Sequence, residues 1–188
     1  DVSPWTFAAQ NTPKFDQGIG NNEIDKFSTY DVSKLSQWEL LFDHMDNKGI
    51  YKNVLLQETE NDQQLDGGTS ASGTSLSVER MVYMREMVAR FGHNNGIQWN
   101  LGEENTNTNQ QRKDMAEYMK SVDGYDHLVT IHSFPNQINQ VYDPLLGVTA
   151  FDGTSFQTNR NNIRDRIEEF RDKSAANGDK WVLTWDED

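Results

Sequence analysis

A chain of 188 residues is long enough to bury a core of its own and reads as one domain. Its 30 acidic side chains outweigh 17 basic ones to give a charge of −13, which repels phosphate backbones and anionic bilayers. Nucleic acid and membrane are therefore excluded as expected partners, whereas a neutral polysaccharide is compatible with such a surface. The absence of cysteine removes disulfides, thiol nucleophiles and cysteine-ligated zinc, and no apolar run approaches the roughly 18 residues of a membrane span. Hydrophobic content is only 35%, yet five Trp and nine Phe argue against disorder, so long polar loops around a modest core are expected. The sequence begins at Asp1 rather than methionine and carries no signal peptide, so it reads as processed, cut or incomplete.

In chain order, Leu35, Trp38, Leu41, Phe42 and Met45 recur at helical spacing, with Ser36 and Glu39 as a capping box and Gly49 as a stop. A strand is expected over 50–57, then a Gly/Ser/Thr-rich loop over 66–74. A second helix carries Val78, Met81, Val82, Met84, Val88 and Phe91 between Ser77 and Gly92. Strand 96–101 follows, then the Asn-rich stretch 105–111 and a helix near 108–122 with the stripe Met115, Tyr118, Met119 and Val122. Strand 128–132, a weaker strand over 148–157 interrupted at Asp152-Gly153, a helix near 162–176 and strand 181–185 complete the chain. Strand and helix alternate with a period of about 30 residues, which predicts an α/β fold with a parallel sheet. Five strands and four helices do not close an eight-stranded barrel, and an open doubly wound sheet accommodates that number directly. No Gly-rich phosphate loop follows any strand, so a nucleotide site lacks its main signal.

The strands all deliver polar or acidic groups at one end: Gln57-Glu58-Thr59-Glu60, Glu103-Glu104-Asn105, His132-Ser133-Phe134, Gln157, and Trp185-Asp186-Glu187. The loops after parallel strands open on one side, so these groups converge. Two carboxyl groups at separate strand ends, with aromatic neighbours, are what glycoside cleavage requires. Trp99, Phe134 and Trp185 are candidates to stack on sugar faces, and Asn100, Gln157 and His132 to bond sugar hydroxyls. Exposed loop carboxylates are more often plain solvated charge, and His132 reads equally as a core histidine. Glu58, Glu60 and Asp62 match no calcium loop, and His44, His93 and His127 lack metal-ligand spacing, so no metal site is assigned.

The runs 31–39 (Asp-Val-Ser-Lys-Leu-Ser-Gln-Trp-Glu), 57–62 and 99–105, extended by 132–137, 142–147 and Asp186-Glu187, resemble a family of bacterial secreted (β/α)8-barrel proteins. That family is related to clan A glycoside hydrolases and often follows a β-sandwich domain of unknown function. The resemblance implies a partial TIM barrel over residues 1–188, roughly strands 2/3 to 7, lacking strand 1 and strand 8, with further chain segments completing it. It implies Glu104 as general acid/base and Glu187 as nucleophile, with Glu103 standing where the clan has Asn. Gln57, Glu58, Glu60, Trp99, Asn100, Glu103, Asn105, His132, Phe134, Gln157, Trp185 and Asp186 would shape the sugar pocket. No organic cofactor is implied, and the setting would be extracellular or at the bacterial cell surface. The expected activity is retaining hydrolysis of a polysaccharide or oligosaccharide; the alternative is a non-catalytic carbohydrate-binding or scaffold protein.

Overall fold

The structure, a computed structural model, describes residues 30, 32–59, 65 and 76–188. Helix α1 (Val32–Asn47) precedes strand β1 (Lys52–Leu55), and α2 (Val78–Phe91) leads to β2 (Ile97–Asn100). Helix α3 (Asn109–Val122) leads to β3 (Leu128–His132). The short α4 (Ile138–Tyr142), with a 3-10 turn at Asp143–Leu145, precedes β4 (Gly153–Gln157), and α5 (Ile163–Ala176) precedes β5 (Val182–Glu187). All neighbouring strands pair in parallel, in sequence order, so the fold is a curled half-barrel of the TIM type. Among the described residues no helix is long and apolar enough to cross a membrane.

Side-chain alternation gives the sheet two unlike faces. Val54, Ile97, Trp99, Val129, Ile131 and Phe156 point outward and are buried beneath the helices. They meet Leu35 and Phe42 of α1, Met84, Met87 and Phe91 of α2, Met115 and Met119 of α3, and Phe170 of α5 in one continuous core. Around β4 and β5 that core is aromatic: Tyr142 lies edge-on to Phe156 at 5.2 Å, and Phe170 stacks on Trp181 at 6.4 Å. Each such ring fully withdrawn from water is worth about 1.5–3 kcal/mol. The opposite face carries Asn53, Gln98, Asn100, Thr130, His132, Ser155 and Gln157 and is polar although almost wholly buried. In a flat sheet β1 and β5 would lie roughly 19 Å apart, four spacings of about 4.8 Å. Here Asn53 Nδ2 donates to Asp186 Oδ2 at 2.8 Å. Only a strongly curved sheet lets its first and last strands touch through side chains.

Several boundaries differ from those read in the sequence. Helix α1 is already under way at Val32, so Ser36 lies inside it and is no cap. Residues 148–152 turn rather than extend, and β4 begins only at Gly153. The short α4 was not legible, because five residues give too few turns for a periodic stripe. Caps explain the better-placed ends. Ser77 accepts from Arg80 N–H at 3.0 Å, and Thr108 and Gln111 form a reciprocal box at 3.2 and 2.8 Å.

Gly153 is fixed by close approach: a Cβ there would sit 2.0 Å from the carbonyl oxygen of Val182, on the neighbouring strand. Gly153→Ala should therefore destabilise the fold by about 3 kcal/mol or prevent folding, since backbone cannot yield as a side chain can. Gly124→Ala, with nothing within 4 Å of the new methyl, should be nearly neutral. Denaturant unfolding of the two variants checks this, and a Gly153→Ala protein within about 0.5 kcal/mol of the parent would refute it.

Candidate active site

Every strand ends on the same side, and the first groups to consider are those of the polar inner face. Gln98 Nε2 donates to Asn53 Oδ1 at 2.9 Å, Asn53 donates to Asp186 at 2.8 Å, and the Ser155 hydroxyl donates to the same Asp186 oxygen. Asn100 Nδ2 donates to Ser155 Oγ at 3.1 Å while Asn100 Oδ1 accepts from Gly102 N–H at 3.2 Å. This chain joins β1, β2, β4 and β5 across the hollow of the sheet and forms the floor of the cleft.

Above the floor lies the turn 102–107. Gly102 N–H is tied to Asn100, Gly102 O accepts from His132 N–H at 3.1 Å, and Glu103 N–H donates to Gln57 O at 3.0 Å. Gly102 has φ 156°, and a Cβ there would lie 2.7 Å from Gln57 Cγ and 2.8 Å from Asn105 Nδ2. Glu104 takes a left-handed backbone (φ 44°), which costs a non-glycine residue about 1–2 kcal/mol and has to be imposed by its surroundings. Buried polar groups impose it. Arg80 donates to Gln57 Oε1, Gln57 Nε2 donates to Asn107 Oδ1 at 2.6 Å, and Asn105 Nδ2 donates to the same oxygen at 2.7 Å. Arg112 holds Asn105 through its backbone carbonyl at 2.7 Å and its side-chain oxygen at 3.3 Å.

On the rim, single ligating atoms of Glu103, His132 and Glu187 all lie within 4.8 Å of one another. Among the described residues no other group of three such side chains is so close. Glu187 reaches the rim because pairing between β4 and β5 shifts register at Phe156/Gln157. Gln157 pairs with Glu187, and Asp186 is left over to turn inward to the floor. Extra residues of this kind re-aim side chains at the ends of strands. His132 is 3% exposed, and its Nε2 stands 3.8 Å from Glu187 Oε2. Burial pushes the imidazole below the usual histidine pKa, against the pull of the Asp186, Glu187 and Glu104 carboxylates. Gln157 is also buried nearby in the sheet, with Oε1 lacking a hydrogen-bond partner.

The expected site residues thus divide. Glu103, His132 and Glu187 come together, Glu104 lies half-buried in the same turn with its charge felt at His132, and Glu58 is half-buried after β1. Phe134 is half-buried after β3, whereas Trp185 pairs with outward-facing Phe156 and, although 42% exposed, lies on the outer face, so its place as a sugar-stacking ring is corrected. Gln57, Asn100, Asn105 and Asp186 bond other protein groups and build the site rather than line it. Trp99 must be corrected outright. It points to the outer face, is fully buried, and donates its indole N–H to Asp123 at 2.9 Å, so it cannot stack on a sugar. Glu60 lies outside the described residues. Sequence reasoning missed Asn53, Ser155, Asn107, Arg80 and Arg112. Asn53 was detectable as a polar residue at an inward strand position, but buried arginines break the usual rule that charge lies at the surface.

No protein-family model matches the sequence, and no curated protein matches it. Solved structures do. A putative glycoside hydrolase from Bacteroides vulgatus ATCC 8482 superposes with a TM-score of 0.55 at 15% identity, over 86% of this chain and 37% of its own. A glycoside hydrolase family 5 protein from the same strain aligns over 66% of this chain and 25% of its own, at 17% identity and a TM-score of 0.46. The chain thus spans little more than a third of the length of the first, and that likeness is one of fold.

Two outcomes are expected from this geometry. Asp186→Ala leaves the Asn53 amide and the Ser155 hydroxyl without their acceptor, at about 1–3 kcal/mol for each orphaned donor and less for half-buried Asn53, so unfolding should shift by about 2–4 kcal/mol. A smaller loss than about 1 kcal/mol would mean the floor network does not hold the sheet. For His132, the unfolded chain takes up a proton near pH 6.5 while the folded chain resists it. Stability is therefore complete above that pH and falls on acidification below it. His132→Gln should flatten that part of the melting-temperature profile, and an unchanged slope would mean the ring titrates normally.

Proposed function

We propose that this protein is a retaining glycoside hydrolase acting on a polysaccharide or oligosaccharide. The observation that carries the reading is that Glu103 and Glu187, from the ends of two different strands, bring carboxylate oxygens within 4.8 Å of each other at an open rim. Retaining enzymes need carboxyl groups about 5–5.5 Å apart, whereas inverting ones leave about 6.5–9.5 Å for a water. The half-barrel fold, shared with a structure named a putative glycoside hydrolase, supports the same class. It is support by analogy, since one fold serves many chemistries.

In this reading Glu187, about half exposed, attacks the anomeric carbon while an acid on the 103–104 turn protonates the departing glycosidic oxygen. The same carboxylate then takes a proton from the water that displaces Glu187 and releases the sugar. The geometry favours Glu103 as that acid. Glu104, which the clan pattern puts in the role, is the second reading, supported by its imposed left-handed backbone and its charge beside His132. The half-buried ring of Phe134, after β3, would contact sugar, with neutral His132 buried behind the carboxylates. The whole described unit would act as one barrel-type domain, outside the cell.

A panel of aryl glycosides and polysaccharides tests this with the parent chain and three variants. Glu187→Gln should lower kcat by about 10³-fold or more, and the variant at the true acid/base by about 10²–10⁴-fold, with azide rescue giving a glycosyl azide of retained configuration only in the latter. Loss confined to Glu104→Gln, with Glu103→Gln active, would transfer the acid role to Glu104. Saturable carbohydrate binding without turnover in the parent would replace the enzyme by a binding module.

A further inference from the structure

We infer that the rim of the cleft is a binding site for one divalent transition-metal ion, of the zinc class, held by Glu103, His132 and Glu187. The first ground is distance. Two ligands at about 2.0–2.2 Å from a common ion can be no more than about 4.4 Å apart. His132 Nε2 and Glu187 Oε2, at 3.8 Å, are too far apart for a hydrogen bond and well within that span. All three ligating atoms lie within 4.8 Å, so a small rotation of a rim carboxylate closes the remaining gap.

The second ground is the imidazole itself. His132 is 3% exposed, and its Nε2 has neither solvent nor a hydrogen-bond partner. A buried polar atom left unsatisfied costs about 1–3 kcal/mol, and one with carboxylate oxygens of Glu103 and Glu187 within 4.8 Å is relieved by a cation. One imidazole with two carboxylates suits zinc, manganese, cobalt or nickel, whereas magnesium and calcium prefer all-oxygen shells. Three protein ligands leave a coordination position open to water. Among the described residues the charges that act on His132 include the carboxylates of Asp186, Glu187 and Glu104, and the chain's net charge of −13 raises the local cation concentration further.

The site does not depend on glycoside hydrolysis. If the chain is a hydrolase, metal and turnover exclude each other, because Glu187 cannot be ligand and nucleophile at once. The metal would then act as an inhibitor competing with sugar.

Isothermal titration of the chain with ZnCl2 should give one saturable site per molecule, with MgCl2 giving none. His132→Ala and Glu187→Gln should each weaken it at least tenfold, while His93→Ala, at an exposed histidine near Asp43, should leave it unchanged. Titration with Co2+ gives a second readout, visible d–d bands that disappear in Glu103→Gln, a rim substitution that spares the buried imidazole. No saturable zinc site, a zinc affinity untouched by His132→Ala, or a site lost in His93→Ala would overturn the assignment. None of these readouts requires catalysis, so the metal site and the hydrolase reading can fail separately.

Discussion

The bond from Asn53 on β1 to Asp186 on β5 is the contact on which the geometry of the cleft rests. It links the two outer strands of the sheet through side chains alone, so the curvature that gathers the strand ends is written into the inner face as well as the backbone. Asp186 accepts from Asn53 and from Ser155 together, and Ser155 in turn receives Asn100. In a medium that excludes water, such a chain rewards full satisfaction and punishes any gap. The inner face therefore tolerates polar residues where a parallel sheet is usually apolar on both sides.

The turn carrying Glu103 and Glu104 is the second rigid body of the site. Two arginines, Arg80 from α2 and Arg112 from α3, each 6% exposed or less, reach it through the amides of Gln57 and Asn105. The amides of Gln57, Asn105 and Asn107 act as adaptors: they take the arginine donors and pass rigidity to the backbone. The turn is thus pinned from two helices at once. That pinning also accounts for a left-handed Glu104 in a turn where glycine already occupies the tighter position at 102.

The outer face of the fold was largely legible in the sequence, because helix stripes such as Met115–Met119 and strand alternation such as Ile97-Gln98-Trp99-Asn100 obey simple periodicities. The parallel α/β sheet followed from the strand–helix order, which equally suited an open doubly wound sheet; the partial barrel came only from the resemblance to a (β/α)8 family. What escaped was whatever periodicity does not encode. Trp99 belongs to the outward set of its strand, and its nearness in sequence to Glu103 drew attention away from its parity. The amide-rich stretch 105–111 read as low-complexity loop, yet Asn105 and Asn107 are buried, and their side-chain oxygens accept from specific partners. Composition describes such a stretch poorly because its function lies in which amide meets which, a property of three-dimensional neighbours. The convergence of Glu103 with His132 and Glu187 likewise joins positions from three strands, and strand ends give its location but not its distances.

The register shift at the end of β5 has a consequence of its own. Along a regular strand Asp186 and Glu187 would face opposite ways, and only one acidic residue could enter the hollow. The extra residue works as a phase shifter: it delivers two consecutive carboxylates to the same side at different heights, one spent on architecture and one left for chemistry. The two acids are thereby not interchangeable. Deleting a single residue from this strand end would restore ordinary alternation and remove either the anchor or the reactive group, though both letters remained in the sequence.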